Sequence, residues 1–214
     1  MSTDKAFFSE LAPEEVRLIC DCGTTKTYPK NSILINEGDQ TDTLYIILSG
    51  KVKIYVSDKE GREVILNILG PGGFFGELAL IDEAPRSASV MTLETSSLGM
   101  VTKAGFQQCI AAHPEIAMKM MRILCRRIRS LTENVKNLAL LDVYGRVART
   151  LENLATPKNG ELVIEQRLTH QDIASMVGAS REMVSRIMKE LTIGKYIHFK
   201  NKRITILKKL PLNW

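Results

Sequence analysis

Histidine, cysteine and tryptophan are scarce in this sequence: 214 residues contain three, four and one of them. The histidines are His113, His170 and His198, and none falls in the strand-rich stretch between 27 and 101. No Ser-His-Asp set, metal-ligand cluster or Walker loop appears, so the chain offers no catalytic residues and no metal site. GPGG at 70–73 lacks the Lys-Ser/Thr of a phosphate loop and reads as a turn. Cys20 and Cys22 stand one residue apart, a poor spacing for a disulfide or zinc, and Cys109 and Cys125 are remote. The expectation is four incidental, reduced thiols. No apolar run approaches the roughly 20 residues that span a bilayer. The start, MSTDKAFFSEL, has no basic segment followed by an apolar core, so no secretory signal and a cytoplasmic location are expected.

What is present is ordinary in amount and uneven in placement. A hydrophobic fraction of 44% and a charged fraction of 25% suit a soluble globular chain of one large or two modest domains. The net charge is +5. From Ala139 onward there are 13 Lys/Arg against 7 Asp/Glu, and before it 16 against 17. The whole positive excess thus lies in the last third, as in chains that meet nucleic acid.

Residues 10–22 read as a short amphipathic helix. From 27 to about 101, short alternating apolar runs broken by Gly and Asp/Asn predict an antiparallel barrel or roll, with SDKEG as a hairpin tip. From Lys103 the pattern turns helical. Ala117, Met121, Leu124, Ile128, Leu131, Val135 and Leu138 follow a 4-3-4-3-4-3 spacing, a heptad seam that predicts a homodimer interface. Asp142 is a good N-cap, so one helix should end near Leu141 and another begin there. The expected domains are a sensor roll over 1–115, a dimerisation helix and hinge over 116–141, and a third domain over 142–214. ATPKNGE reads as a loop.

LTHQDIASMVGASREMVSRIMKEL is the most specific local signal. Thr169 caps a helix with Asp172 three residues on, Ala174 is small where two helices cross, Gly178 supplies the turn, and Ser180 caps the second helix. Ile173, Val177, Val184 and Ile187 form the apolar faces. This spacing is that of a helix-turn-helix whose second helix presents Arg181, Glu182, Ser185, Arg186 and Lys189. YIHFKNKRITILK then reads as a basic wing, with Lys200, Lys202 and Arg203 as phosphate contacts.

FFGELALIDEAPRSASV at 74–90 sets Glu77 and Arg86 in otherwise core-like sequence. Buried charges need partners. A Glu77–Arg86 ion pair closing a loop is one answer; a charged ligand is the other.

Three stretches carry a resemblance: FGELALIDEAPRSASV, the long helix ending NLALLDVYGRVARTL, and GASREMVSRIMKEL. In that order, from about 34 to 206, the chain resembles the CRP/FNR family of bacterial transcription regulators, and among them the cyclic AMP receptors. The resemblance implies an α+β fold, with an N-terminal cyclic-nucleotide-binding β-roll, a long dimerisation helix and a C-terminal winged helix-turn-helix. It implies that Glu77 accepts from a ribose 2′-hydroxyl and Arg86 pairs with a cyclic phosphate. Ser87 donates to the phosphate, Gly76 allows close approach, and Leu78 and Ala88 line the same site. It places Leu131 and Thr132 against the base. The family's cyclic AMP receptors carry Thr-Ser there, and Leu131 cannot hydrogen-bond adenine. Cyclic AMP is the expected effector, no covalent cofactor is implied, and cyclic GMP, cyclic di-GMP and nucleotide-independent DNA binding stay open. Iron–sulfur members of the family need four cysteine ligands, three of them clustered near the N-terminus, where this chain has only Cys20 and Cys22, so no cluster is expected.

For DNA the resemblance implies base reading by Arg181, Glu182 and Arg186 on palindromic sites with TGTGA-like half-sites. Thr169, Gln171, Ser180, Ser185, Lys189 and Lys202 complete the contact set. RNA polymerase is a further implied partner, although ATPKNGE looks shorter than the polymerase-contacting loop of well-known activators.

Overall fold

The computed structural model describes residues 11–158, 160–165, 168–200 and 203–211. They fall into two compact units, one ending at Ile128 and the other running from Arg129.

The first unit opens with α1 (Pro13–Cys20), shorter than the helix expected over 10–22. Pro13 starts it, and Glu15 reaches back to the Ala12 N–H. Eight strands follow: β1 (Thr24–Tyr28), β2 (Ile33–Ile35), β3 (Leu44–Ser49), β4 (Val52–Ser57), β5 (Glu63–Leu69), β6 (Phe74–Phe75), β7 (Ser89–Thr92) and β8 (Ser96–Val101). The helix α2 (Glu77–Asp82) interrupts them after β6. They form two antiparallel sheets, ordered β1-β8-β3-β6 and β2-β7-β4-β5. SDKEG is the tip of the β4–β5 hairpin, and GPGG is a turn closed by the Gly73 N–H on the Gly70 carbonyl.

The pleat of β3 explains why the roll has helices on one side. Tyr45 and Ile47 join Ile35, Val52, Leu69, Phe75, Val90 and Leu98 in the core shared by the two sheets. Leu44 and Ile46 point the other way. They pack with Phe74, Val101 and apolar residues of α1, α3 (Lys103–Ala112) and α4 (Pro114–Leu140). The α4 residues in that cluster are Ile116, Met120 and Ile123.

In the second unit α4 ends and Asp142 caps α5 (Val143–Leu154) by accepting from the Gly145 N–H at 2.7 Å. ATPKNGE is not a plain loop. Thr156–Lys158 (β9) and Glu161–Ile164 (β10) form an antiparallel hairpin, with Gly160 at φ 82 in its turn and a Lys158–Glu165 ion pair. Asn-Gly is a strong short-range hairpin signal, and the polar composition of the segment obscured it. Next come α6 (His170–Val177), α7 (Arg181–Ile193), β11 (Ile197–Lys200) and β12 (Arg203–Ile206), giving a sheet ordered β11-β12-β10-β9. Leu151, Ile164, Ile173 and Val184 are fully buried in the core of this unit. Each contributes about 1.5–3 kcal/mol relative to an exposed side chain.

Candidate functional site

The first candidate site lies where β6 turns into α2. Gly76 adopts φ 81, and a Cβ there would stand 2.7 Å from both Arg86 Nη1 and the Thr43 carbonyl oxygen. Only glycine suits that backbone and that space. The chain returns from α2 through Glu83, also in the left-handed region, to Arg86.

Arg86 is 4% exposed, and its guanidinium rests on neutral acceptors. Nε donates to Thr41 Oγ1 at 2.8 Å, Nη1 to the Gly76 carbonyl at 2.7 Å and Nη2 to the Thr43 carbonyl at 2.8 Å. Its main chain is pinned as well, its N–H on the Asp39 carbonyl and its carbonyl on the Gly38 N–H. Burial pulls its pKa down, opposed at longer range by Tyr45, Asp42, Glu77 and Asp39. Among the described residues no carboxylate forms an ion pair with it. Three of its five N–H groups are occupied by these acceptors. A desolvated cation with donors to spare suits a phosphate.

A cavity of about 90 Å³ opens beside it. Gly76, Glu77, Leu78, Ala79, Arg86, Ser87 and Ala88 line it together with the apolar Ile35, Ile54, Phe75 and Val90. Of the residues expected from the sequence to hold a ligand, Gly76, Glu77, Leu78, Arg86, Ser87 and Ala88 are thus gathered around one cavity. Ser87 and Leu78 are exposed, and Ala88 is buried.

The alternative of a Glu77–Arg86 ion pair is not realised. Glu77 is 5% exposed and pairs instead with Arg127 of α4, Nη1 to Oε1 at 2.8 Å. Arg127 Nη2 donates to the Phe74 carbonyl at 2.6 Å, and the guanidinium lies 4.4 Å from the Phe74 ring centre. Burial pushes the Glu77 carboxyl up, and Arg127 opposes that shift. Burial likewise lowers Arg127, against the pull of Glu77. The Arg127 Nε is buried without an acceptor among the described residues.

Sequence reasoning missed Arg127, although a signal was there. Ile116, Met120 and Ile123 are the buried stripe of α4, and Arg127 continues their 4-3-4 spacing. A charge on a buried stripe marks a residue with a buried partner.

The heptad seam is a different face of α4. Ala117 and Leu124 are half-buried, while Met121, Ile128, Leu131, Val135 and Leu138 are 47–65% exposed. Leu131 and Thr132 both lie on exposed turns of the helix in the second unit, whereas the cavity is built from the first.

The second candidate site is the α6–α7 pair. Thr169 Oγ1 accepts from the Asp172 N–H at 3.1 Å, and the Thr169 N–H donates back to Asp172 Oδ2 at 2.8 Å, completing the capping box. Gly178 ends α6 at φ 63, and Ser180 Oγ accepts from the Met183 N–H at 3.2 Å to cap α7. Val184, Ile187, Met188 and Leu191 are buried. Arg181, Glu182, Ser185, Arg186 and Lys189 share the exposed face of α7, and Thr169 and Gln171 are exposed at the start of α6. β11 and β12 form the wing, with Arg203 exposed on it. Lys202 lies outside the described residues.

Residues 25–113 match the cyclic nucleotide-binding domain family, and 145–212 the Crp-like helix-turn-helix domain. The chain is 42% identical over 185 residues to the cAMP-activated global transcriptional regulator CRP of Haemophilus influenzae, covering 84% of this chain and 82% of that one. The chain belongs to the CRP/FNR family of transcription regulators. A CRP-like cAMP-activated regulator of Mycobacterium tuberculosis is 37% identical over 183 residues, with 84% and 82% covered. Among solved structures, the c-di-GMP responsive regulator CLP of Xanthomonas campestris superimposes with a TM-score of 0.79 at 26% identity, over 92% of this chain and 100% of that one. As a member of the CRP/FNR family the chain is a DNA-binding transcription regulator with a cyclic-nucleotide-binding sensor, and not an enzyme. No helix among the described residues is long and apolar enough to cross a membrane.

Proposed function

We propose that the protein is a cytoplasmic homodimer that binds palindromic DNA under allosteric control by a cyclic nucleotide, cyclic AMP before others. The buried Arg86 guanidinium, seated on neutral acceptors beside the cavity, carries this reading. The cyclic phosphate supplies its counter-charge. Ser87 and the neighbouring backbone donate to the same phosphate, and Glu77 accepts from the ribose. The name of the Haemophilus relative supports cyclic AMP. The exposed apolar seam of α4 supports the dimer, since it offers a second copy a sustained heptad face. Leu131 and Thr132, on that helix, face the base. Two copies of α7 then enter successive major grooves roughly 34 Å apart. Arg181, Glu182 and Arg186 read TGTGA-like half-sites, and Thr169, Gln171, Ser180, Ser185, Lys189 and Lys202 fix the helix on the backbone. RNA polymerase is the further partner of such a regulator on its promoter.

A second reading is favoured by Leu131, which offers no hydrogen bond to adenine, and by the c-di-GMP responsive neighbour. In it the effector is a guanine nucleotide.

Calorimetric titration of the nucleotide-free protein, with gel shifts of a TGTGA palindrome at each nucleotide, tests both. Cyclic AMP is expected to bind and to strengthen DNA binding at least about tenfold, the scale of ordinary allosteric coupling. Preference for cyclic GMP or cyclic di-GMP transfers the same mechanism to a guanine effector. DNA binding indifferent to all three overturns the proposal.

A milder test concerns Gly76. Alanine there puts a Cβ against Arg86 and Thr43, at a positive φ. Gly76→Ala is expected to weaken nucleotide binding at least about tenfold by displacing the guanidinium. Calorimetry reads it, and wild-type affinity counts against this placement of the phosphate.

A further inference from the structure

We propose that Cys22 and Cys109 are a thiol modification site that closes reversibly to a disulfide when a small-molecule disulfide of the glutathione class is the oxidant. The two residues are far apart in sequence and meet in space. Cys22 Sγ and Cys109 Sγ both lie 3.7 Å from the same acceptor, the Leu18 carbonyl oxygen. Both pack against the same apolar cluster of the first unit.

The backbone holds them there. After α1 ends, the Cys22 N–H donates to the Ile19 carbonyl and the Gly23 N–H to the Cys20 carbonyl. Gly23 is pressed against β8, where a Cβ would come 2.2 Å from the Met100 carbonyl oxygen. On the other side, Gly105 of α3 lets the Cys22 carbonyl approach to 2.5 Å of where a Cβ would stand. Cys109 is one helical turn beyond Gly105, on the same face. The turn carrying Cys22 is thus clamped between a strand and the helix that carries its partner. Cys20 points elsewhere: its sulfur fills the space that a Cβ of Gly99 would need, at 2.4 Å. Cys125 is exposed on α4.

Burial assigns the roles. Cys22 is half-buried and Cys109 is 1% exposed. Burial and its Cys22 neighbour push the Cys109 thiol up to about 11, so it does not meet an oxidant first. The Cys22 thiolate attacks one sulfur of oxidised glutathione. The glutathione disulfide breaks, and one glutathione thiol leaves with the bonding electron pair and a proton. Cys109 then gives up its proton and attacks the Cys22 sulfur, expelling the second glutathione thiol. Two protein thiols lose two electrons and two protons, and one glutathione disulfide becomes two thiols.

The bond joins the two ends of the β-roll, since every strand from β1 to β8 lies between Cys22 and Cys109. Closing so long a loop restricts the unfolded chain.

The test uses the full chain, reduced and then incubated with oxidised glutathione. Intact mass is expected to fall by about 2 Da, with the tryptic peptide of residues 18–26 linked to that of 104–119. The thermal midpoint is expected to rise by about 5 °C and to return on reduction. Cys20→Ser should keep the link, and Cys22→Ser, at a half-buried position that tolerates serine, should lose it. A glutathione adduct that persists without the cross-link, a link through Cys20, or an unchanged mass overturns the proposal. Nucleotide and DNA binding do not enter the readout, so the result is independent of the regulator reading.

Discussion

Arg86→Leu is expected to weaken cyclic-nucleotide binding by at least about 100-fold, because the proposed site then loses its charge-assisted contact to the phosphate in desolvated surroundings. The leucine also leaves the Gly76 and Thr43 carbonyls without the donors they now have. Unsatisfied buried carbonyls cost about 1–3 kcal/mol, so the variant should be less stable but folded. Arg86→Lys separates the two effects. It keeps the charge and loses the planar fork, so binding should fall between wild type and leucine. Calorimetry measures the affinities and urea unfolding the stability. Affinity within a factor of two of wild type in Arg86→Leu removes this residue from the phosphate site.

Arg127→Met should produce the largest loss of stability. It strands the Glu77 carboxylate, 5% exposed, without its cation. Breaking a buried ion pair from one side costs about 3–5 kcal/mol. Removing both partners should cost much less, so Glu77→Met combined with Arg127→Met is expected to unfold at higher urea than Arg127→Met alone. The pH dependence has a definite sign. Burial already raises the folded-state pKa of Glu77, and the loss of Arg127 removes the main opposing influence. A carboxyl raised on folding binds its proton more tightly in the native state. The deficit of Arg127→Met should therefore grow as pH rises from the wild-type value of Glu77, already above the ordinary carboxyl range, through the still higher value of the variant, and shrink below it. Unfolding at pH 5 and 7.5 reads this. A cost under about 1 kcal/mol, flat with pH, contradicts the buried-pair account.

The features legible in the sequence were those that local chemistry determines. The Thr169–Asp172 box, the Ser180 cap, the left-handed Gly178 and the Asp142 cap are all contacts within three or four residues. Glu77 and Arg86 were marked as unusual by their apolar setting alone. Their partners were not legible, because they come from other elements: Arg127 lies 50 residues from Glu77, and Thr41 lies 45 from Arg86. The heptad of α4 drew notice from its other stripe, where Arg127 sits among Ile116, Met120 and Ile123. The ATPKNGE hairpin was hidden for the opposite reason, since β9, a polar strand at the edge of a small sheet, lacks the alternation that marks a buried one.

Arg146 stiffens the joint at Asp142. Its Nε donates to the Val177 carbonyl at 2.9 Å and its Nη1 to the Leu141 carbonyl at 3.1 Å, so one guanidinium stitches the end of α4 to the end of α6. Leu138 meanwhile lies 3.8 Å from where a Cβ of Gly178 would stand. The last turn of α4 and the turn of the helix-turn-helix are therefore keyed together like a shaft and its blade. Through the packed α6–α7 pair, the same block includes the face that carries Arg181, Glu182 and Arg186.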